Sequence, residues 1–305
     1  MDRFEAMRAY VQVVDSLSFT RAAQQLNLHK ASVSQQIRQL EERLGARLLE
    51  RTTRAVAPTA EGLHYYRHAC DILQQIDAAE AGLRKDTTAA AGHLRVDVPV
   101  AMGRLVFVPE LRAFLERHPR ITLELGCTDR VVDLIQEGVD CALRGGALPD
   151  SRLTARAVGK LRFVLCAAPR YIDAHGLPET PDDLARHVRV GYLAASNRRL
   201  QPIRLQDDER TVEVEMAARF VTTDSAAVLS AGLDGLGLVH VAEFVATHHL
   251  ASGALVRVLP RWRCASLPLQ LVTPSSRKRA ARVQAFMDWA QGLVMRRLGD
   301  FIDAD

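Results

Sequence analysis

The chain has 305 residues, with 40 Lys/Arg against 36 Asp/Glu and a formal charge of +4. That length suits two or three domains. A composition of 48% hydrophobic and 25% charged residues excludes wholesale disorder. No apolar run reaches the ~18 residues that a membrane helix needs. The opening MDRFEAMRAY carries acids and no apolar stretch, so it does not read as a secretory signal. A cytoplasmic location with no membrane partner is the expectation. Cys70, Cys127, Cys141, Cys166 and Cys264 are odd in number and contain no CxxC pair. They predict neither a disulfide framework nor a zinc site, but small buried apolar residues in a reducing compartment. Charge is uneven: residues 1–60 hold nine basic and six acidic residues, a net of +3, and the remainder holds 31 and 30, a net of +1.

Phe4, Met7, Val11 and Val14 recur at helical spacing and define an apolar face of a first helix. Leu17-Ser18-Phe19-Thr20 interrupts it and offers a hydroxyl N-cap to a second helix carrying Ala22, Ala23 and Leu26. Asn27-Leu28-His29 is a tight turn. A third helix is predicted from about Lys30 to Leu44, with Val33, Ile37, Leu40 and Leu44 inward and Gly45 as its stop. Residues 47–50 and 55–57 predict two short strands around Arg51-Thr52-Thr53-Arg54.

From Ala60 the pattern changes. Tyr65, Ala69, Ile72, Ile76, Ala79 and Leu83 alternate by four and three, a heptad seam. Pairing with a second copy buries such a seam; packing on its own domain is the alternative. Residues 87–92, TTAAAG, read as a linker.

Beyond His93, β-rich runs alternate with helical ones. Strands are predicted at 94–98, 121–125, 141–143, 163–167, 189–193, 220–222, 236–239 and 269–273. Helices are predicted at 105–117, 130–137, 225–233 and 278–298. The alternation predicts an α/β fold with mostly parallel strands, as one sheet or two lobes.

Residues 18–54 carry the strongest functional signal. Two short helices around a tight turn match a helix-turn-helix, whose second helix enters the DNA major groove. With Val33 and Ile37 inward, Lys30, Ser32, Ser34, Gln35, Arg38 and Gln39 face outward as donors and acceptors for base edges and phosphates. Residues 20–54 hold seven basic and three acidic residues, a local +4 that attracts phosphate. A solvated polar face is the bland alternative for a helix of this kind. The predicted DNA-facing set is Thr20, Lys30, Ser32, Ser34, Gln35, Arg38, Arg51 and Arg54, the last two on the hairpin.

The stretch SFTRAAQQLNLHKASVSQQIRQLEERLGARLLERTTRAVAPTAEG, residues 18–62, resembles the LysR-type transcriptional regulators. The resemblance continues through PVAMGRLVFVPELRAFLERHP, DRVVDLIQEGVDCALRGGALPDS, LCAAPRYIDAHGLPETPDDLARH and PSSRKRAARVQAFMDW. It implies an α/β multi-domain chain: a winged helix-turn-helix at 1–59, a linker helix for dimerisation at 60–91 and an effector-binding domain at 92–298. That last domain is similar to periplasmic binding proteins. Lobe I would take 92–165 and 268–298, lobe II 166–267, with two crossovers and a ligand cleft between. The implied partners are operator DNA, a small-molecule effector, further copies of the chain in a homodimer or homotetramer, and RNA polymerase. No cofactor, metal or catalytic residue is implied. By matching position, Ser32, Ser34 and Gln35 face DNA and Arg54 is the wing residue. Where many members have Ser-Gln-Pro, this chain has His29-Lys30-Ala31, and a lysine donates to guanine or phosphate.

Ligands of α/β proteins bind beyond strand ends. The predicted effector contacts are Ala101, Met102 and Gly103, then Thr128, then Arg144 and Gly145, and in the second lobe Thr223 and Asp224, with Asp129, Gly146 and the Val239-His240 pair near them. Relatives often place a Ser or Thr and an aromatic at Ala101-Met102, so the hydroxyl is lost. Asp224 also reads as a helix N-cap, and Asp129 with Arg144 as an ion pair.

The competing classes are an enzyme and a nonspecific DNA-architectural protein. No GxSxG, Walker A, HExxH or GxGxxG motif stands in a credible context, and residues 232–237, GLDGLG, precede a strand rather than follow one. An architectural protein would leave the large second domain without a use.

Overall fold

A computed structural model describes residues 2–51, 56–83, 90–146, 152–194, 199–275, 277–278 and 280–303. Contacts divide it into a compact unit built on Met1–Thr88 and another on Ala89–Leu134 and Val139–Asp305.

In the first unit, α1 (Arg3–Ser16) starts on Asp2, whose carboxylate accepts from the Phe4 N–H at 2.8 Å. Its buried stripe is Ala6, Met7, Ala9, Tyr10 and Val13, whereas Phe4 is 46% exposed. The face is therefore turned from the one that the large apolar residues suggest. The alanines mark where neighbouring helices press closely. Leu17 in the left-handed region ends α1, and the Ser18 hydroxyl caps α2 (Phe19–Gln25) by accepting from the Arg21 N–H. Asn27 is also left-handed, at φ 54°, and the Leu28 N–H closes the turn on the Ala23 carbonyl at 2.9 Å. α3 (Lys30–Leu44) has the predicted bounds and stops at Gly45, φ 64°. An antiparallel pair follows, β1 (Leu49–Arg51) with β2 (Val56–Pro58). α4 (Ala60–Leu83) then buries Ala69 and Leu73 against Met7, with Val11 and Tyr65 alongside, while Ile72 faces outward. The first part of the seam thus packs on its own unit, along an i, i+4 line that Leu73 continues in place of Ile72.

In the second unit, β3 (Gly92–Val98) leads into a helical stretch. It begins as α5 (Val100–Met102), passes through a π turn at Gly103–Phe107 and a 3-10 turn at Val108–Glu110, and ends as α6 (Leu111–Arg117). β4 (Ile121–Cys127) runs parallel to β3, from Gly92↔Ile121 to Val98↔Cys127. β5 (Cys141–Gly145) runs parallel to the other edge of β3. The predicted helix at 130–137 is absent: residues 131–138 form irregular turns that bury Val132 and Leu134. β6 (Leu153–Leu161) was not predicted; its polar, alternating residues carry no long apolar run.

Past Arg162 the chain enters the second lobe with β7 (Phe163–Ala167) and α7 (Pro169–His175). It continues through β8 (Val188–Tyr192), β9 (Ile203–Gln206), β10 (Thr211–Val214), β11 (Ala217–Thr222), α8 (Ser225–Leu233), β12 (Val239–Ala242), α9 (Glu243–Ala251), β13 (Val256–Arg257) and β14 (Arg263–Cys264). A second crossover returns it through β15 (Leu267–Pro274), α10 (Ala281–Leu298) and β16 (Ile302–Asp303). The first lobe's sheet has the order β16-β6-β15-β5-β3-β4. It is mixed rather than mostly parallel, because β15 runs antiparallel to both β5 and β6. In the second lobe β8 and β11 are parallel, while β12 and β13 are antiparallel to β7.

The first lobe packs α10 on its sheet around Phe107, Phe114 and Phe286, with Trp289 in edge contact with Phe107 at 5.8 Å. In the second lobe Val164 and Cys166 meet α8 and α9, and Leu165 and Tyr171 form a further cluster with Ile203 and Leu205. All five cysteines are free. Cys141 and Cys166 are buried as expected, but Cys127 is exposed at the end of β4. Among the described residues, no helix is long and apolar enough to cross a membrane.

Asp140, fully buried, ties three segments together. Its carboxylate accepts from the Arg95 N–H at 2.9 Å and from Arg277 at 2.8 Å, with Arg282 at 3.7 Å. Removing it takes a buried carboxylate charge away from Arg277 and Arg282. Asp140→Ala is expected to lower stability by about 3–5 kcal/mol in urea unfolding; a loss under ~1 kcal/mol would show that water or other acceptors take over.

Candidate nucleic-acid interface and effector cleft

The two faces of α3 are sharply different. Val33 and Ile37 are 0% exposed and Leu40 is 1% exposed. Lys30, Gln35, Arg38 and Gln39 are exposed, and Ser32 and Ser34 are half-buried at the edge of that surface. Thr20, in the first turn of α2, is exposed as well. Of the eight sequence-predicted DNA contacts, Thr20, Lys30, Gln35 and Arg38 are exposed, and Ser32 and Ser34 are half-buried. Arg51 ends β1, and Arg54 lies outside the described residues.

Sequence reasoning missed the residues that set the wing. Glu41, on α3, accepts from the Leu48 and Leu49 N–H groups at 2.9 and 3.1 Å. One carboxylate so fixes the root of β1 to the recognition helix. Thr59 donates to the Arg47 carbonyl at 2.7 Å and accepts from the Gly62 N–H at 2.9 Å. A Cβ on Gly62 would lie 2.0 Å from the Leu48 carbonyl oxygen, so α4 starts in direct backbone contact with the hairpin. An acid eight residues before a strand gives no sign in the sequence that it holds the start of that strand.

In the second unit, the predicted effector residues gather where β3, β4 and β5 end and α8 begins, but their surroundings differ. Ala101 is half-buried. Met102 is 2% exposed and belongs to the first lobe's core. Gly103 is buried against the Cys127 Sγ, which a Cβ would meet at 2.3 Å. The Thr128 hydroxyl accepts from the Arg130 N–H at 3.2 Å, and its own N–H donates to the Val98 carbonyl at 3.0 Å. Arg144 pairs with Asp97 at 2.8 Å rather than with Asp129. Gly145 is exposed beside Leu267, and Gly146 is left-handed at φ 94°. Thr223 is exposed, and Asp224 caps α8 by accepting from the Ala226 and Ala227 N–H groups at 2.8 and 3.1 Å.

Asp129 does something the sequence does not announce. Its Oδ1 accepts from the Val100 N–H at 3.1 Å, and its Oδ2 from the Ser225 N–H at 2.9 Å. One carboxylate thus joins the lobes. Tyr192 lies in the field of this acidic pair: burial, then Asp129, then Asp224, push its hydroxyl up to about 12. His240, tilted on Phe163 at a centroid distance of 4.9 Å, is pushed down to about 4 by burial and then by Arg189, so its ring is neutral at pH 7. Its Nε2 is buried without a hydrogen-bond partner. Among the described residues, no group of three or more His, Cys, Asp or Glu is arranged to hold a metal ion.

Residues 4–63 match the family described as bacterial regulatory helix-turn-helix protein, lysR family, and residues 88–294 match the LysR substrate binding domain. The chain is 38% identical over 298 residues to an uncharacterised HTH-type transcriptional regulator of Escherichia coli, YhjC, covering 98% of this chain and all of that protein. It is also 38% identical over 293 residues to an HTH-type transcriptional repressor of Pseudomonas aeruginosa, covering 96% and 92% of the two. The solved structure of CrgA, a LysR-type transcriptional regulator from Neisseria meningitidis, is 33% identical with a TM-score of 0.59, covering 96% of this chain and 98% of that one. Full-length AphB, a virulence activator of Vibrio cholerae, is 26% identical with a TM-score of 0.59, covering 94% and 98%. An exposed basic helix-turn-helix followed by a two-lobed α/β domain, matched along nearly its whole length, places this chain in the LysR family of transcriptional regulators, which bind DNA and respond to an effector.

Proposed function

We propose that α3 lies in the major groove of an operator, with Lys30, Ser32, Ser34, Gln35 and Arg38 as its contacts, Thr20 on the neighbouring phosphate backbone, and Arg51 and Arg54 reaching the DNA from the wing. The observation that carries this is the split of α3 between buried Val33, Ile37 and Leu40 and exposed Lys30, Gln35, Arg38 and Gln39; Leu44, predicted inward, is 43% exposed at the helix end. Gln35 can present a donor and an acceptor together to adenine, while Lys30 and Arg38 serve guanine or phosphate. The functional boundaries follow at 1–59, 60–91 and 92–298, with an effector held between the lobes near Ala101, Thr128, Asp129 and Thr223. The chain acts in the cytoplasm, without catalysis of its own, and works through RNA polymerase at the promoter.

Self-association uses the outer side of α4. Ile72 is 37% exposed there, and Ile76 continues the seam beyond the part that packs on α1. A paired α4 sets the separation of two recognition helices, and so the half-site spacing on DNA. An effector that prefers one lobe arrangement shifts that spacing by linkage.

Gel shift with DNA from upstream of the chain's own gene tests the reading: a site-specific complex is expected, and a shift that only scales with DNA length would indicate an architectural protein instead. In that assay Gln35→Ala is expected to cost about 1–3 kcal/mol and to relax discrimination at one base pair. Arg38→Ala is expected to weaken binding and to reduce the salt slope by about 1 if it holds a phosphate. Glu41→Ala is expected to weaken operator binding while helicity by circular dichroism stays unchanged, since it frees the wing and not α3. Ile76→Asp is expected to shift sedimentation toward smaller species; an unaltered assembly would remove α4 from the interface.

A further inference from the structure

The two oxygens of Asp129 serve different lobes. Val100, which donates to Oδ1 at 3.1 Å, opens the helical stretch beyond β3. Ser225, which donates to Oδ2 at 2.9 Å, is the first residue of α8 and lies 96 positions along the chain. First-turn amides have no acceptor within their own helix and attract anions. Here both are already satisfied by one side chain. Arg144, the cation at the end of β5, is likewise engaged by Asp97 at 2.8 Å, with the two side chains 15% and 10% exposed. Asp224 adds a second carboxylate next to Ser225, and Ala101 contributes no hydroxyl. The Ser225 hydroxyl is buried without a hydrogen-bond partner beside the bridge.

We propose that Asp129 is a resident anion that joins the lobes and determines the effector class, admitting a neutral or cationic molecule and turning away an acidic one. An acidic compound could reach these amides only by displacing a carboxylate tethered at high effective concentration. It would then leave that carboxylate unpaired beside Asp224. A cation meets attraction from both acids, and a neutral molecule meets no charge repulsion from them. The ligand class rests on the cleft reading above; the bridge itself needs no effector.

Hydrogen exchange on the full-length chain tests this without any effector. In Asp129→Ala, the segments containing Val100 and Ser225 are both expected to exchange about tenfold faster than in the parent, and the melting temperature to fall by about 3–6 °C. Sodium acetate, compared with chloride at equal ionic strength, is expected to restore protection of both segments in Asp129→Ala and to leave the parent unchanged. Should Asp129→Ala fail to fold, Asp129→Asn serves: it keeps one acceptor, so one segment should loosen and acetate should not restore it. Unchanged exchange of both segments in the variant that folds would overturn the bridge. Acetate protecting the parent as strongly as Asp129→Ala would overturn the exclusion of acidic effectors. Absence of any effector response at the operator bears on the cleft reading alone, because the exchange experiment contains neither effector nor DNA.

Discussion

What the head can offer to DNA depends on the burial of Val33, Ile37 and Leu40 in one stripe of α3. Full burial of such side chains stabilises by about 1.5–3 kcal/mol each, enough to fix the rotation of the helix about its axis. Once that rotation is set, Lys30, Gln35 and Arg38 have no freedom but to point outward. The polar surface is thus a by-product of the apolar one. Glu41 extends the same logic by a second means, using two backbone amides to hold the hairpin where α3 places it. Gly62 adds a third, since α4 meets the hairpin backbone too closely for any side chain.

The second unit is built on a different constraint. Its lobes share two crossovers of backbone, after β6 and after β14, and each lobe keeps its own core. Phe163, Ala242 and Phe244 of the second lobe pack on the first lobe's core, and Asp129 adds a polar link from the end of β4 to the start of α8. Tyr192, close to this junction, has its hydroxyl pushed up by its own burial and then by Asp129 and Asp224.

Much of the first unit was legible in the sequence because its signals are local. Ser18 caps, Gly45 stops, and the 33-37-40 spacing needs no distant partner. The face of α1 was misjudged since Ala6 and Ala9 carry little hydrophobic weight yet occupy the tightest contacts. Residues 131–138 have helical spacing, but Val132 and Leu134 are buried by turns, two residues apart. β6 was invisible because a strand flanked by β15 and β16 gains its order from its partners. In the second unit, the strand-end rule picks out residues around Asp129. It could not separate Met102, which belongs to the core, from Asp129, whose partners lie far apart in the chain. Side-chain roles that depend on long-range closure leave no periodic trace.

The position of β15 also has a bearing on how the polypeptide matures. This strand sits between β5 and β6, yet it is made after every element of the second lobe. On the ribosome, the reading head and then the second lobe can collapse as they emerge, whereas the first lobe waits with a gap in the middle of its sheet. Until β15 and α10 arrive, β5 and β6 expose unpaired edges, the kind of surface that recruits chaperones or neighbouring nascent chains. The nascent protein would then carry a finished DNA-binding head before its sensor is complete.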